Sequence, residues 1–120
     1  MIDVVTGGAG FIGSHLVDRL VADGRCVRVI DNFRKGSLRN LEQHDGCADV
    51  EVVQADITDV DALRSALAGA ERVFHLAAMA DIVPSIEHPE IYFRSNVEGT
   101  FNVLQQAHAI GVKRFIYAAS

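Results

Sequence analysis

Three glycines spaced three apart, Gly7, Gly10 and Gly13, stand in the run Thr6-Gly7-Gly8-Ala9-Gly10-Phe11-Ile12-Gly13, between an apolar stretch and a helical pattern. A glycine-rich turn alone carries little information. In this setting each glycine has a physical task. Gly7 permits a tight turn off a strand, Gly10 lets backbone approach a pyrophosphate with no Cβ in the way, and Gly13 lets the following helix pack closely on a sheet. The free N–H groups and positive dipole end of that helix would then face phosphate. Asp31 follows Gly13 by 18 residues, at the end of the next predicted strand. A carboxylate there suits the hydroxyls of an adenosine ribose and disfavours a 2′-phosphate, so NAD is preferred to NADP. Arg34 and Lys35 come shortly afterwards in a loop and leave room for NADP.

Other residues are open to two readings. Asp56 could accept a hydrogen bond from an adenine amino group while Ile57 covers the ring; equally, Asp56 is a turn residue and Ile57 belongs to the core. The five histidines, His15, His44, His75, His88 and His108, show no pairing at metal-ligand spacing. His75 ends a strand near the expected cleft and reads as a packed structural histidine. Asp81 and Ser85 follow that strand, where each could face a substrate or serve only solvent and turn geometry. The arginines read as spread over surfaces for solubility.

The elements that must position these residues alternate in a βα rhythm, the mark of a parallel sheet with crossover helices. Strands are predicted at Ile2 to Val5, Cys26 to Ile30, Val50 to Val53, Arg72 to Leu76 and Arg114 to Ala118. A helix is predicted from Phe11 to Ala22, with Ile12, Leu16 and Leu20 inward and Gly24 ending it. Ser37 to Gln43 could form a short helix. Thr58 is expected to cap a helix to about Ala68, with Val60, Leu63 and Leu67 buried. Pro89 opens a long helix to about Ile110, closed by Gly111, with Val97, Phe101 and Leu104 on its inner face. Right-handed connections and one reversal imply an α/β fold. It is a Rossmann-type doubly wound parallel sheet of strand order 3-2-1-4-5, with two helices on one face and two on the other.

Composition agrees with one globular domain: 120 residues, 49% hydrophobic and 22% charged, with a formal net charge of −5. The acidic balance gives no reason to expect nucleic acid or an anionic membrane as partner. Two cysteines without CxxC spacing suit a reducing compartment, so a cytoplasmic location is expected. No targeting run or apolar stretch of membrane-spanning length is visible.

Taken together, TGGAGFIG, Asp31-Asn32, Asp56-Ile57, His75-Leu76-Ala77-Ala78, Asn96-Val97-Glu98-Gly99-Thr100 and Arg114-Phe115-Ile116-Tyr117 occur in an order and at spacings that are family-like. The chain resembles the extended short-chain dehydrogenase/reductases, specifically their NAD-dependent nucleotide-sugar epimerase/dehydratase group. The resemblance implies that Gly7, Gly10, Phe11 and Ile12 line the pyrophosphate of NAD, with Gly13 completing the motif. It places Asp31 and Asn32 on the adenosine ribose, and Asp56 and Ile57 on the adenine. Leu76, Ala77 and Ala78 would run under the nicotinamide side, and Asn96 would reach toward the cofactor from its helix. Ser120 falls where the family has its catalytic Ser or Thr, a hydroxyl that stabilises charge on the sugar oxygen being oxidised.

The chain also departs from the family pattern. Ala80 stands where some epimerases carry lysine, and Ala118 and Ala119 replace serines common there. The Tyr-x-x-x-Lys pair, general base and its partner, does not occur within these 120 residues: Asn96 stands four positions after Tyr92, and the position four after Tyr117 lies past Ser120. The implied parent is a 4-epimerase acting on a nucleotide-sugar by reversible hydride transfer to NAD, with a dehydratase as the second reading. From another class, the 120 residues by themselves would be a catalytically silent dinucleotide-binding module lacking its substrate domain. Ending on an apolar strand, the chain is expected to be the N-terminal part of something longer. That strand would be an exposed edge favouring self-association through it or by swapping; a homodimer or such self-association is the expected assembly.

Overall fold

The computed structural model describes residues 2–119; Ser120, the expected catalytic hydroxyl, lies outside them. Five parallel strands form one sheet: β1 (Ile2–Thr6), β2 (Cys26–Asp31), β3 (Val50–Gln54), β4 (Ala70–His75) and β5 (Arg114–Tyr117), in the order 3-2-1-4-5. This is the expected doubly wound α/β sheet. The order reverses between β1 and β4, so the loops leaving these two strands diverge and open a crevice at their carboxyl ends.

Side chains alternate across the sheet and build two cores. On one face Val4, Ile30 and Val73 pack with Leu63 and Leu67 of the α2 (Val60–Ala66) region and with Val103 and Ala107 of α5 (Gly99–Ile110). On the other, Val5, Val27 and Val29 pack against Val17 and Leu20 of α1 (Phe11–Ala22) and Leu41 of a 3-10 turn at Leu38–His44. The 3-10 turn replaces the short helix predicted at Ser37 to Gln43, and Ser37 caps it by accepting from the Arg39 N–H.

Several expectations require correction. Asp59, not Thr58, caps α2, accepting from the Ala62 N–H at 3.1 Å, while the Thr58 hydroxyl turns back to Asp56 at 2.7 Å. Leu20 is buried as expected, but Ile12 is 70% exposed and Leu16 only half-buried, and Gly13, Ser14 and Val17 make up the rest of the buried face of α1. The loop after β4 contains a short helix, α3 (Ile82–Glu87). The long helix from Pro89 is α4 (Pro89–Phe93), one π-helical turn (Arg94–Glu98) and α5 in succession. Its inner face is Gly99, Val103, Gln106 and Ala107; Val97, Phe101 and Leu104 point outward. The reason is proximity. A Cβ at Gly99 would sit 2.6 Å from the side chain of Ile57, in the loop after β3, so the start of this helix lies too close to that loop for any side chain at Gly99.

The arginines are not all solubility groups. Asp3 on β1 is fully buried and takes two N–H groups from Arg25 (2.9 and 2.7 Å) and two from Arg72 (2.9 and 2.5 Å). Arg28 donates to the Ala66 and Ala68 carbonyls, tying the end of α2 to the sheet.

Candidate functional site

The turn leaving β1 is forced by its glycines. Gly7 has φ +71°, and a Cβ on it would lie 2.9 Å from the Ala77 nitrogen, so both its conformation and its neighbour exclude a side chain. A Cβ at Gly13 would come 2.2 Å from the Gly7 carbonyl oxygen, which means α1 starts in direct contact with the turn. Gly10 differs: only the Gly7 oxygen, at 3.3 Å, lies near its missing Cβ, and the rest of that space is open. Gly10 is also the N-cap of α1, which has neither a side-chain cap nor an acidic residue in its first turn. The first amides of a twelve-residue helix are thus left without a side-chain partner, the arrangement that favours an anion.

A cleft opens above this turn, between it and the ends of β2 and β4. It brings together Gly7, Gly10, Asp31, Asn32, Ile57 and the backbone run Leu76-Ala77-Ala78. Phe11 and Ile12 are not among the lining side chains; at 77% and 70% exposure they point into solvent, so only their main chain is available to the turn. Asp31 is 8% exposed, and each carboxylate oxygen accepts one backbone N–H, from Ala9 at 3.1 Å and from Phe33 at 2.8 Å. Each oxygen keeps a further lone pair for a hydroxyl. The two backbone bonds hold the carboxylate rigid at the rim.

A second recess adjoins the first, lined by Asn32, Arg34, Asp56, Thr58 and Ser95 among others. Burial pushes the Asp56 carboxyl up, but the N–H and O–H of Thr58, the Asn32 amide and the charge of Arg34 outweigh it and hold it below the usual carboxylate range. Thr58 occupies Oδ1, whereas Oδ2 has only the Asn32 amide at 3.4 Å. Asp56 is therefore a turn residue and a recess residue at once. Ile57 likewise packs in the core, 5% exposed, while lining the cleft.

Asn96 does not reach into the cleft. Its amide clamps Met79, accepting from the Met79 N–H at 2.7 Å and donating to its carbonyl at 2.8 Å. Both ends of the side chain are engaged, so it acts by fixing the loop that continues Leu76-Ala77-Ala78. Asp81 pairs with Lys35 at 2.5 Å, joining the loop after β4 to the loop after β2. The Ser85 hydroxyl is taken up by the Ile82 carbonyl within α3. His75 is buried as expected, yet both ring nitrogens have partners that the sequence reading missed: Thr6 Oγ1 at 2.7 Å and Thr100 Oγ1 at 2.9 Å. The two threonines flanking the motif glycines and Asn96 were the available signal. Among the described residues no group of three potential metal ligands occurs, and no helix is long and apolar enough to cross a membrane.

Comparison with known proteins agrees with this geometry. The model of the NAD dependent epimerase/dehydratase family matches residues 4–120. The UDP-glucose 4-epimerase of Mycolicibacterium smegmatis is 40% identical over 122 residues, covering 100% of this chain and 39% of that protein. UDP-glucuronic acid decarboxylase 2 of Arabidopsis thaliana is 38% identical over 117 residues, covering 98% of this chain and 25% of that protein. Among solved structures, a Thermus thermophilus UDP-glucose 4-epimerase in complex with NAD superposes with a TM-score of 0.90 at 34% identity, covering 100% of this chain and 38% of that one. The chain thus spans roughly a quarter to two fifths of the length of these relatives. With the sheet order, the glycine turn and the family match in agreement, the chain belongs to the NAD dependent epimerase/dehydratase family.

Proposed function

We propose that this chain is the NAD-binding part of a nucleotide-sugar 4-epimerase. The observation that carries the proposal is the convergence, on one cleft, of an uncapped helix N-terminus, the open space at Gly10 and the rigidly held carboxylate of Asp31. In this reading Gly7, Gly10 and the main chain of Phe11 and Ile12 receive the pyrophosphate. Asp31 and Asn32 hold the ribose, and Asp56 with Ile57 holds the adenine. Leu76, Ala77 and Ala78 form the wall along the nicotinamide, steadied by Asn96 through Met79. Bound NAD supplies a reversible hydride acceptor for a sugar hydroxyl, so that a 4-keto sugar can turn over and be reduced on its other face. Ser120 would donate a hydrogen bond to the sugar oxygen.

A dehydratase of the same family is the second reading. Relatives named epimerase and decarboxylase match this region about equally well, so the cofactor domain does not discriminate the step that follows oxidation. The parent is proposed to assemble as a homodimer. The 120 residues alone bind dinucleotide without turning over sugar, and epimerisation of a UDP-sugar above a blank would overturn that part.

Calorimetric titration of the chain with NAD beside NADP tests the core of the proposal. Saturable NAD binding with clearly weaker NADP binding is expected. Equal affinity for the two would overturn the role given to Asp31. Saturation by neither would overturn the claim that these residues hold the cofactor without the remainder of the parent.

A further inference from the structure

One wall of the cleft begins on two oxygens of Thr6: the Leu76 N–H is shared between the Thr6 carbonyl and Thr6 Oγ1, each at 3.1 Å. Thr6 Oγ1 accepts the N–H of Leu76 and the N–H of Ala77, each at 3.1 Å, and lies 2.7 Å from His75 Nδ1. A hydroxyl offers one hydrogen and two lone pairs. Two of the three groups around Oγ1 are N–H donors, so its hydrogen is directed at Nδ1, the one acceptor among them, which is then the unprotonated nitrogen of the ring. The ring hydrogen is left on Nε2, where it is donated to Thr100 Oγ1 at 2.9 Å. Counting donors and acceptors thus assigns one tautomer of a neutral imidazole.

The surroundings agree. His75 is 1% exposed, between Thr6 on β1 and Thr100 on α5, with the rings of Phe115 and Tyr117 on β5 at 6.1 and 6.0 Å. Burial alone pushes it down to about 4, so the ring is neutral at physiological pH. The amides it controls through Thr6 belong to the backbone that lies against Gly7, where a Cβ would be 2.9 Å from the Ala77 nitrogen. The Thr6 hydroxyl therefore ties the Ala77 end of this wall to the strand that leads into the glycine turn, beside the Thr6 carbonyl on Leu76 and the Asn96 clamp on Met79.

We infer that His75 is a positioning residue for the dinucleotide cleft: its Nε2-protonated ring orients the Thr6 hydroxyl, which in turn fixes the Ala77 amide and, beside the Thr6 carbonyl, the Leu76 amide at the start of the wall. The inference rests on the cofactor reading above. Loss of the Nδ1 acceptor frees the Thr6 hydrogen to rotate into the directions from which the amides approach, which weakens their bonds to Oγ1.

The test compares the 120-residue chain with His75→Leu, which removes both ring contacts, and His75→Asn, whose amide oxygen can replace Nδ1 while giving up Thr100. Without ligand, imidazole nitrogen spectra and amide exchange at Leu76 and Ala77 are read; with ligand, NAD affinity. The nitrogen spectrum should place the proton on Nε2. His75→Leu should exchange the Ala77 amide about tenfold faster, with a smaller change at Leu76, which keeps the Thr6 carbonyl, and bind NAD about tenfold more weakly, the loss of one well-made hydrogen bond; His75→Asn should recover most of both. A proton on Nδ1, or an Asn variant no better than Leu, would overturn the inference. If the unaltered chain binds no NAD, the cofactor reading fails separately, and the spectra and exchange rates still decide whether His75 sets this wall.

Discussion

Gly13 begins the first helix in contact with Gly7: a Cβ at Gly13 would lie 2.2 Å from the Gly7 carbonyl oxygen and 2.8 Å from the Gly8 Cα. Both neighbours are backbone, so nothing can swing aside. Gly10, three residues earlier, has φ −78°, and its Cβ would meet only the Gly7 oxygen at 3.3 Å. The two positions should therefore fail differently. Gly13→Ala is expected to destabilise the fold by roughly 3 kcal/mol or more through overpacking. Gly10→Ala should change stability by less than about 1 kcal/mol, yet weaken NAD binding at least tenfold because its methyl occupies the open side of the turn. Urea unfolding beside calorimetry separates the two. Equal loss of stability in both variants would show that the space at Gly10 is not open.

Burial of His75 ties stability to pH. An unfolded histidine titrates near 6.5, whereas the buried ring is pushed down to about 4. Between these values the unfolded chain takes up a proton that the folded chain refuses. Stability should then be independent of this group above about pH 6.5 and fall as the pH drops toward 4, by roughly 2–3 kcal/mol at pH 4.5. In His75→Asn, which cannot titrate, that part of the slope should vanish. Urea midpoints for both proteins at pH 7.5, 5.5 and 4.5 give the answer; parallel slopes would mean that the ring accepts a proton without leaving its place.

Much of this molecule was legible in its sequence, for reasons that also explain the misses. The glycine turn, the strand order and the placing of Asp31 at a strand end follow from local patterns: φ requirements, hydrophobic period and βα alternation. The inward face of α5 does not follow, because the helix is apolar on two sides. Its periodicity admits both Val97-Phe101-Leu104 and Gly99-Val103-Ala107, and only the close approach of Ile57 to Gly99 selects the smaller set. Thr58 and Asp59 are both able caps one residue apart, and the bond from Thr58 to Asp56 decides between them. Asp3 with Arg25 and Arg72, and Thr6 with His75, join residues 22 to 69 positions apart. No local period or spacing pairs such residues; the threonines beside the motifs mark candidates for His75 but not which of them it meets.

Asp3 anchors the end of the sheet opposite the glycine turn. Burial would raise its carboxyl, but the Arg72 and Arg25 guanidiniums, paired with it at both oxygens, outweigh that and hold it below the usual range. A carboxyl lowered in this way contributes stability that is present above about pH 4 and lost as pH falls through the lowered value, a window below that of His75. Asp3→Asn turns one acceptor oxygen into an NH2 facing guanidinium donors. It should cost roughly 2–4 kcal/mol at pH 7 while leaving the NAD dissociation constant of the folded protein unchanged. A matching loss of NAD affinity would show that the two ends of β1 are coupled.

Two surfaces compete for the proposed self-association. The β5 edge, anticipated from the sequence, exposes Ile116 and Tyr117 by 36% and 56% over a strand of four residues. The α5 side exposes Val97, Phe101 and Leu104 by 53%, 60% and 47%, spaced four and three apart, so that they form one apolar stripe. A contiguous stripe of large side chains is a stronger interaction surface than a short edge beginning at Arg114. A second copy related by a two-fold axis presents the same stripe in return. Phe101→Glu should therefore shift the protein toward monomer in sedimentation across a concentration series, and Ile116→Lys should leave the distribution as it was. The opposite pattern would place the contact on the sheet edge, where an added strand rather than packed helices would join the copies. A monomer at every concentration without any substitution would remove self-association from the properties of these 120 residues.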